Sequence, residues 1–331
     1  MVWRMLMSAA RFNCIQPGLE PNEMAARYQA FVEMAGYAEA NGFSMITLEE
    51  HHGADNGWNP SPLIMAGLIF GRTKTIGVNI SALLLPLHDP LRVAEDMAVL
   101  DNASGGRLTV ILGLGYRPSE YAAHGKDWAG RGALMDECVD TLLKAWTGEP
   151  FEYRGTTVRV TPRPFTQPHP TVLLGGTSKP AARRAARFGL PMFAAAHMPW
   201  LETYYYEQCA EHGTQGFYMM PGEDTVMLHV AEDPDKAWAE LGQHFFEEAS
   251  TYASWQTDDI SSAVHSHAST PEELRAEGIY QVCTPDEVVA RIQAQGDMAF
   301  VNLHPLVGGM PIDEGWKSLQ LYVDQVIPRV S

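Results

Sequence analysis

The run Glu49-Glu50-His51-His52-Gly53 sets two adjacent histidines directly after an apolar segment, 43–48, that reads as a strand. Neighbouring side chains on extended backbone point to opposite sides, so only one of the two imidazoles faces the centre of the fold and the other is structural. Imidazole changes charge between about pH 5 and 8, which makes His51 a candidate hydrogen-bonding or acid/base group; the plainer reading is a histidine that caps a loop. A second candidate is Gly175-Gly176-Thr177-Ser178, which stands between a strand and a helix. Glycine permits close approach and a helix N-terminus is positive, so these N–H groups and hydroxyls suit an anion, a phosphate above all; an ordinary tight turn with an N-cap is the alternative. Gly113-Leu114-Gly115-Tyr116 also lies at a strand end, where small residues either relieve crowding or admit a flat ring.

His51, His52, His197, His304 and nearby carboxylates offer the donors of a metal centre as another reading. The His-x-His pair expected on the first strand of such a centre is missing, Arg11-Phe12-Asn13 standing there, so no metal is expected.

These residues need elements to position them, and the stretch 75–116 shows the pattern most plainly. Residues 76–85 read as a buried strand, Asp89 as an N-cap with Pro90 at the first helical position, Leu91, Ala94, Met97 and Ala98 as one helix face, Gly105-Gly106 as the stop, and 107–114 as a second strand. That is a strand, a crossover helix and a parallel strand. Further strands are expected at 3–9, 43–48, 172–174, 192–196, 226–230 and 299–303, each followed by a helix. A small hairpin at 151–160 turns at Arg154-Gly155, and the segment 253–269 is expected to be a mobile lid loop. Eight strands alternating with helices predict an α/β fold, a (β/α)8 TIM barrel with insertions, as one domain over 1–331. Its working face, at the strand C-terminal ends, would carry Asn13, Glu50, His51, His52, Ser81, Tyr116, Thr177, Ser178, His197 and His304.

Composition narrows the class. The net charge of -17, from 23 basic and 40 acidic residues, opposes nucleic-acid binding, and no Lys/Arg run offers an exception. Four scattered cysteines without a C-x-x-C argue against a disulfide scaffold or zinc knuckle. No segment is apolar enough to span a membrane and the N-terminal apolar run is too short for a signal peptide, so a cytoplasmic protein is expected.

Taken together, LEEHHG, NISALLLPLHDPLRVAED, LDNASGGR, LGLGY followed by Glu120, and PTVLLGGTS resemble the luciferase-like flavin-dependent monooxygenases, most closely over 5–190. The resemblance implies a β/α barrel, commonly dimeric, that binds reduced FMN at the strand ends. In it His51 matches the histidine that assists the oxygenated flavin, and Ser81-Ala82 a non-prolyl cis peptide against the ring. Gly113, Leu114 and Tyr116 match the fourth-strand segment beside the cofactor, and Gly176, Thr177 and Ser178 the phosphate side. Leu114 stands where luciferase has a phosphate-pairing arginine, and Arg117 is the candidate replacement. No N-terminal G-x-G-x-x-G unit is visible, so FMNH2 would come from a separate flavin reductase and, with O2, oxygenate a small apolar organic substrate. The alternatives are hydride transfer with the deazaflavin F420 on the same fold, and a non-catalytic flavin-binding protein.

Overall fold

The computed structural model describes residues 5–223, 225–256 and 262–330. Its chain alternates β1 (Met5–Phe12), α1 (Pro21–Ala40), β2 (Met45–Leu48), α2 (Pro62–Arg72), β3 (Gly77–Leu84), α3 (Pro90–Ser104), β4 (Leu108–Gly113), α4 (Pro118–Ala123) and α5 (Arg131–Trp146). A hairpin of β5 (Phe151–Tyr153) and β6 (Thr156–Val158) follows, then β7 (Thr171–Gly175), α6 (Lys179–Phe188), β8 (Met192–Phe193), α7 (Pro199–His212) and β9 (Tyr218–Met219). The last part is β10 (Met227–Val230), α8 (Pro234–Trp255), α9 (Pro271–Glu277), β11 (Tyr280–Cys283), α10 (Pro285–Ala294), β12 (Met298–Leu303) and α11 (Ile312–Gln325).

Ten strands form one sheet in the order β11-β10-β12-β1-β2-β3-β4-β7-β8-β9, and every pairing in it is parallel. All eight expected strands are present, the fold is the expected α/β barrel class with insertions, and the hairpin turns at Arg154-Gly155. Alternation along each strand sorts the side chains. Ala10, Phe12, Ile46, Leu48, Val78, Ile80, Val110, Leu112, Val172 and Leu174 are buried against the helix layer, with Phe12 edge-on to Phe31 of α1 at 5.1 Å. Their alternates, Arg11 among them, face the enclosed side.

The structure departs from the sequence reading in three places. β9 and β11, two and four residues long, are additional strands paired to β8 and β10, too short to leave a period in the sequence. Residues 118–123 form α4, not loop, with Pro118 in its first turn, where a missing N–H is harmless. Of the segment 253–269, Ala253 to Trp255 complete α8, and 257–261 lie outside the described residues.

α8 reaches the ends of the strands. Its C-terminal half packs onto the ends of β1, β2 and β11: Arg11 donates to Tyr252 Oη at 3.1 Å, Tyr252 Oη donates to Glu49 at 2.7 Å, and Tyr280 Oη donates to Glu248 at 2.8 Å. Burial pushes the Glu248 carboxyl up, but the charges of His304 and Arg11 and the hydrogen bonds it accepts outweigh burial and hold it ionised.

Candidate active site

His51 leaves the end of β2 pointing inward, as expected, and is only 6% exposed. Four rings surround it, with centroids at 4.8 Å (Trp255), 5.1 Å (Trp58), 5.4 Å (Tyr252) and 6.0 Å (Tyr116). Its Nδ1 has no hydrogen-bond partner among the described residues and lies 3.7 Å from Glu120 Oε1. At that distance the contact is electrostatic and the hydrogen bond is not yet made. Glu120, buried on α4, accepts from the His52 backbone N–H at 2.9 Å and from Arg117 Nη1 at 3.0 Å. Burial pushes this carboxyl up, yet its contact with His51, the His52 N–H and the charge of Arg117 hold it below the usual carboxylate range. Arg117 also donates to the His52 carbonyl at 2.9 Å and stacks on Trp255 at 4.0 Å, so its guanidinium braces the His51 side of the mouth. A cleft of about 350 Å³ opens beside this group, lined by Gly53, Asn56, Arg117, Thr251 and Trp255 among others. Trp255 is the wall shared by the cleft and His51.

His52 turns the other way. Its Nε2 meets Glu50 Oε1 at 2.7 Å, where His88 Nε2 also arrives at 2.6 Å, while Leu84 N–H donates to the other carboxylate oxygen at 2.6 Å. Burial raises the Glu50 carboxyl, but these bonds and the charge of His88 dominate and bring it down to about 2.

Across the mouth, the Ser81–Ala82 peptide is cis and the β3–β4 register shifts between Ser81 and Leu83. A Cβ at Gly113 would fall 2.8 Å from Ala82 Cβ, so only glycine lets the two strand ends approach this closely. Leu114, half-buried, accepts a hydrogen bond from Tyr121 through its carbonyl. The buried Tyr116 hydroxyl makes no hydrogen bond among the described residues, and burial pushes its pKa up, offset in part by the nearby Gln256 side chain. After β7, Gly176 has φ +152° and a Cβ there would meet Ala181 at 2.6 Å. Ser178 is the N-cap of α6 by backbone position, but its hydroxyl makes no capping bond; it remains exposed beside half-buried Thr177.

The four histidines of the notional metal centre do not meet. His304 lies 2.8 Å from Glu248 Oε2, and His197 is near Glu223 Oε1 at 3.5 Å and the Pro221 carbonyl at 3.1 Å. The sequence reading does not single out Trp58, Tyr252, Trp255 or His88. Glu248, Tyr252 and Trp255, at i, i+4 and i+7, share one face of α8, and that spacing was the available signal. His88 reaches Glu50 across 38 positions and left no local signal.

In β/α barrels ligands gather at the strand C-terminal ends, where these groups lie, so the class is an α/β barrel with its candidate site at that end. The family model for luciferase-like monooxygenase matches residues 7–300, and the chain belongs to that family. It is 28% identical to the alkanal monooxygenase alpha chain of the Kryptophanaron alfredi symbiont over 181 residues, 53% of this chain and 50% of that one. It spans about half the length of the curated relatives it matches. Among solved structures it is similar to monooxygenase RslO1 from Streptomyces bottropensis (TM-score 0.77, 24% identity, 98% of this chain and 100% of that chain). It is also similar to the oxygenating constituent of 3,6-diketocamphane monooxygenase from Pseudomonas putida, in complex with FMN (TM-score 0.69, 19% identity, 98% of each chain). An F420-dependent secondary alcohol dehydrogenase shares the fold as well (TM-score 0.66, 18% identity, 99% of each chain). Among the described residues no helix is long and apolar enough to cross a membrane.

Proposed function

We propose that this chain is a monooxygenase that uses O2 and reduced FMN, delivered by a separate flavin reductase, to oxygenate a small apolar organic substrate. The observation that carries the reading is His51, held at the barrel mouth inside four aromatic rings, its Nδ1 without a hydrogen-bond partner among the described residues and 3.7 Å from the Glu120 carboxylate. A flat ring with a phosphate tail fits the other side of the mouth. Gly113 packs against Ala82 with no room for a side chain between them, so the ends of β3 and β4 lie close together, and among the described residues the buried Tyr116 hydroxyl makes no hydrogen bond. Thr177 and the uncommitted Ser178 stand at the positive end of α6. Ser81, Ala82, Gly113, Leu114 and Tyr116 would hold the ring, and Gly176, Thr177 and Ser178 the phosphate. Arg117 supports the His51 side in this account.

Bound reduced flavin supplies the electrons that activate O2. The protein supplies the rest. If the His51–Glu120 contact closes to hydrogen-bond length, Glu120 would hold the His51 proton on Nδ1 and leave Nε2 for the reacting centre, with Arg117 and the His52 N–H keeping that carboxylate in place. Trp58, Tyr116, Tyr252 and Trp255 keep water from His51.

The FMN-bound structural neighbour supports FMN, while the F420-dependent one supports a second reading, hydride transfer on the same fold. Supplying photoreduced FMN or reduced F420 to the protein with aldehyde and ketone substrates separates them. Substrate-dependent O2 uptake with FMNH2 is expected; substrate reduction by F420H2 without O2 uptake moves the assignment to the second reading, and inertness toward both removes it. We further infer a homodimer through α2 and α3, where Ile64, Leu68 and Val99 are 68%, 46% and 53% exposed. Sedimentation of wild type against I64E/V99E tests this: a dimer that the double variant splits is expected, and a wild-type monomer ends the inference.

A further inference from the structure

We propose that Glu50, His52 and His88 form a site for one borderline divalent cation, zinc by preference, on the outer side of the strand ends and distinct from the His51 box. The proposal stands independently of the flavin reading. Three ligand atoms already converge: Glu50 Oε1 is 2.7 Å from His52 Nε2 and 2.6 Å from His88 Nε2, and all three lie within 4.8 Å of one another. Two imidazoles and one carboxylate make a nitrogen-rich, borderline donor set that suits zinc and its first-row neighbours and disfavours magnesium or calcium.

Three features separate this cluster from a chance grouping. Glu50 is 1% exposed, yet among the described residues no Lys or Arg pairs with it; its charge meets only imidazoles and one backbone N–H. A metal ion that displaces the protons shared between Glu50 and these imidazoles would take over their role in satisfying the buried carboxylate. The Leu84 N–H fixes one carboxylate oxygen and leaves the other aimed between the rings, as outer partners do at metal sites. His52 and His88 are 16% and 28% exposed in their side chains, so an ion has a route in from solvent.

Geometry allows the insertion. Metal–ligand distances of about 2.0–2.1 Å would set tetrahedral donors roughly 3.3 Å apart, so each O–N pair must open by roughly 0.6–0.7 Å. Part-exposed rings can turn that far. Both Nε2 atoms then ligate, and each neutral ring carries its proton on Nδ1. His124, exposed and with its ring centroid 4.5 Å from His52, is the nearest further imidazole for the fourth position, which otherwise goes to water. Such an ion would clamp the segment bearing His51 to the end of β3.

The test uses the full chain, stripped with chelator and dialysed metal-free. Zinc is titrated by calorimetry, cobalt(II) by visible absorption, and the melting temperature is followed with and without zinc. One equivalent, intense tetrahedral-type cobalt bands and a higher melting temperature are expected. His88→Ala, at the exposed end of the cluster, should weaken binding by at least roughly tenfold, whereas His197→Ala, removing an exposed histidine elsewhere, should not. Should Glu50→Gln or His52→Ala fail to fold, H88A still decides. No uptake at sub-millimolar zinc, or uptake equal in wild type and H88A, overturns the site and leaves Glu50 as a hydrogen-bond hub only.

Discussion

Replacing Gly113 by alanine tests the proposed ring seat where its geometry is least forgiving. The new methyl would lie 2.8 Å from Ala82 Cβ, against a favourable carbon–carbon separation of about 3.5–4.0 Å, an overlap of roughly 0.7–1.2 Å. It has little room to retreat, because the Leu83 carbonyl oxygen and Leu84 Cδ2 stand at 3.5 and 3.6 Å. Ala82 has no flexible side chain to swing aside, so the backbone of β3 or β4 must move. Overpacking of this kind costs about 1–3 kcal/mol. At about 2 °C per kcal/mol for a large domain, the melting temperature should fall by roughly 2–6 °C. Displacing the surface on which the ring is proposed to rest should also weaken reduced-FMN binding by roughly tenfold or more. Differential scanning fluorimetry and an anaerobic flavin titration read both effects. Gly67→Ala is the matched control, since its Cβ would meet only Leu100 Cδ2, at an ordinary 3.5 Å inside α2. If G113A melts and binds flavin as G67A does, the close approach of Gly113 and Ala82 has no bearing on the cofactor.

Other predictions follow from the same contacts. Glu120→Gln keeps an acceptor for Arg117 but removes the charge facing His51; kcat should drop roughly ten- to hundredfold with flavin affinity little changed, and an unaltered kcat would remove Glu120 from its positioning role. Trp255→Ala takes away the wall between His51 and the cleft together with the stack on Arg117, so O2 uptake without oxygenated product should rise; tight coupling in W255A would show that the indole does not exclude water. Burial lowers the pKa of His229 from the usual 6.5 to about 4, so its contribution is complete above pH 6.5 and is lost as pH falls toward 4, on the order of 3 kcal/mol. His229→Phe should therefore flatten stability across that window; a profile as steep as wild type would contradict it. Glu50, depressed to about 2, loses its share only lower, between about pH 4.5 and 2.

What could be read from the chain was whatever local chemistry enforces. Asp89 does accept from the N–H groups of Leu91 and Arg92, and Gly105 does end α3 in the left-handed conformation, because caps and stops are decided within a few residues. That His51 and His52 point to opposite sides likewise follows from the alternation of extended backbone, whereas which of them turns inward is seen only in the fold. Two-residue β9 carries no period, and Pro118 reads equally as loop marker or helix start. The walls of the His51 box come from three separate places in the chain: Trp58, Tyr116, and Tyr252 with Trp255. Only the fold brings them together. The same holds for Glu50 and His88, whose partnership depends on β2 and β3 lying side by side.

The mouth is proposed to seat a flavin ring against Ala82 and Gly113 with its phosphate at the N-terminus of α6. A crystal structure after soaking with FMN tests it most directly. The ring is expected against those two residues on the side of the mouth facing His51, with phosphate oxygens within hydrogen-bond reach of Thr177 and Ser178. Density for the phosphate on Arg117, or no flavin at the strand ends at saturating FMN, would contradict it.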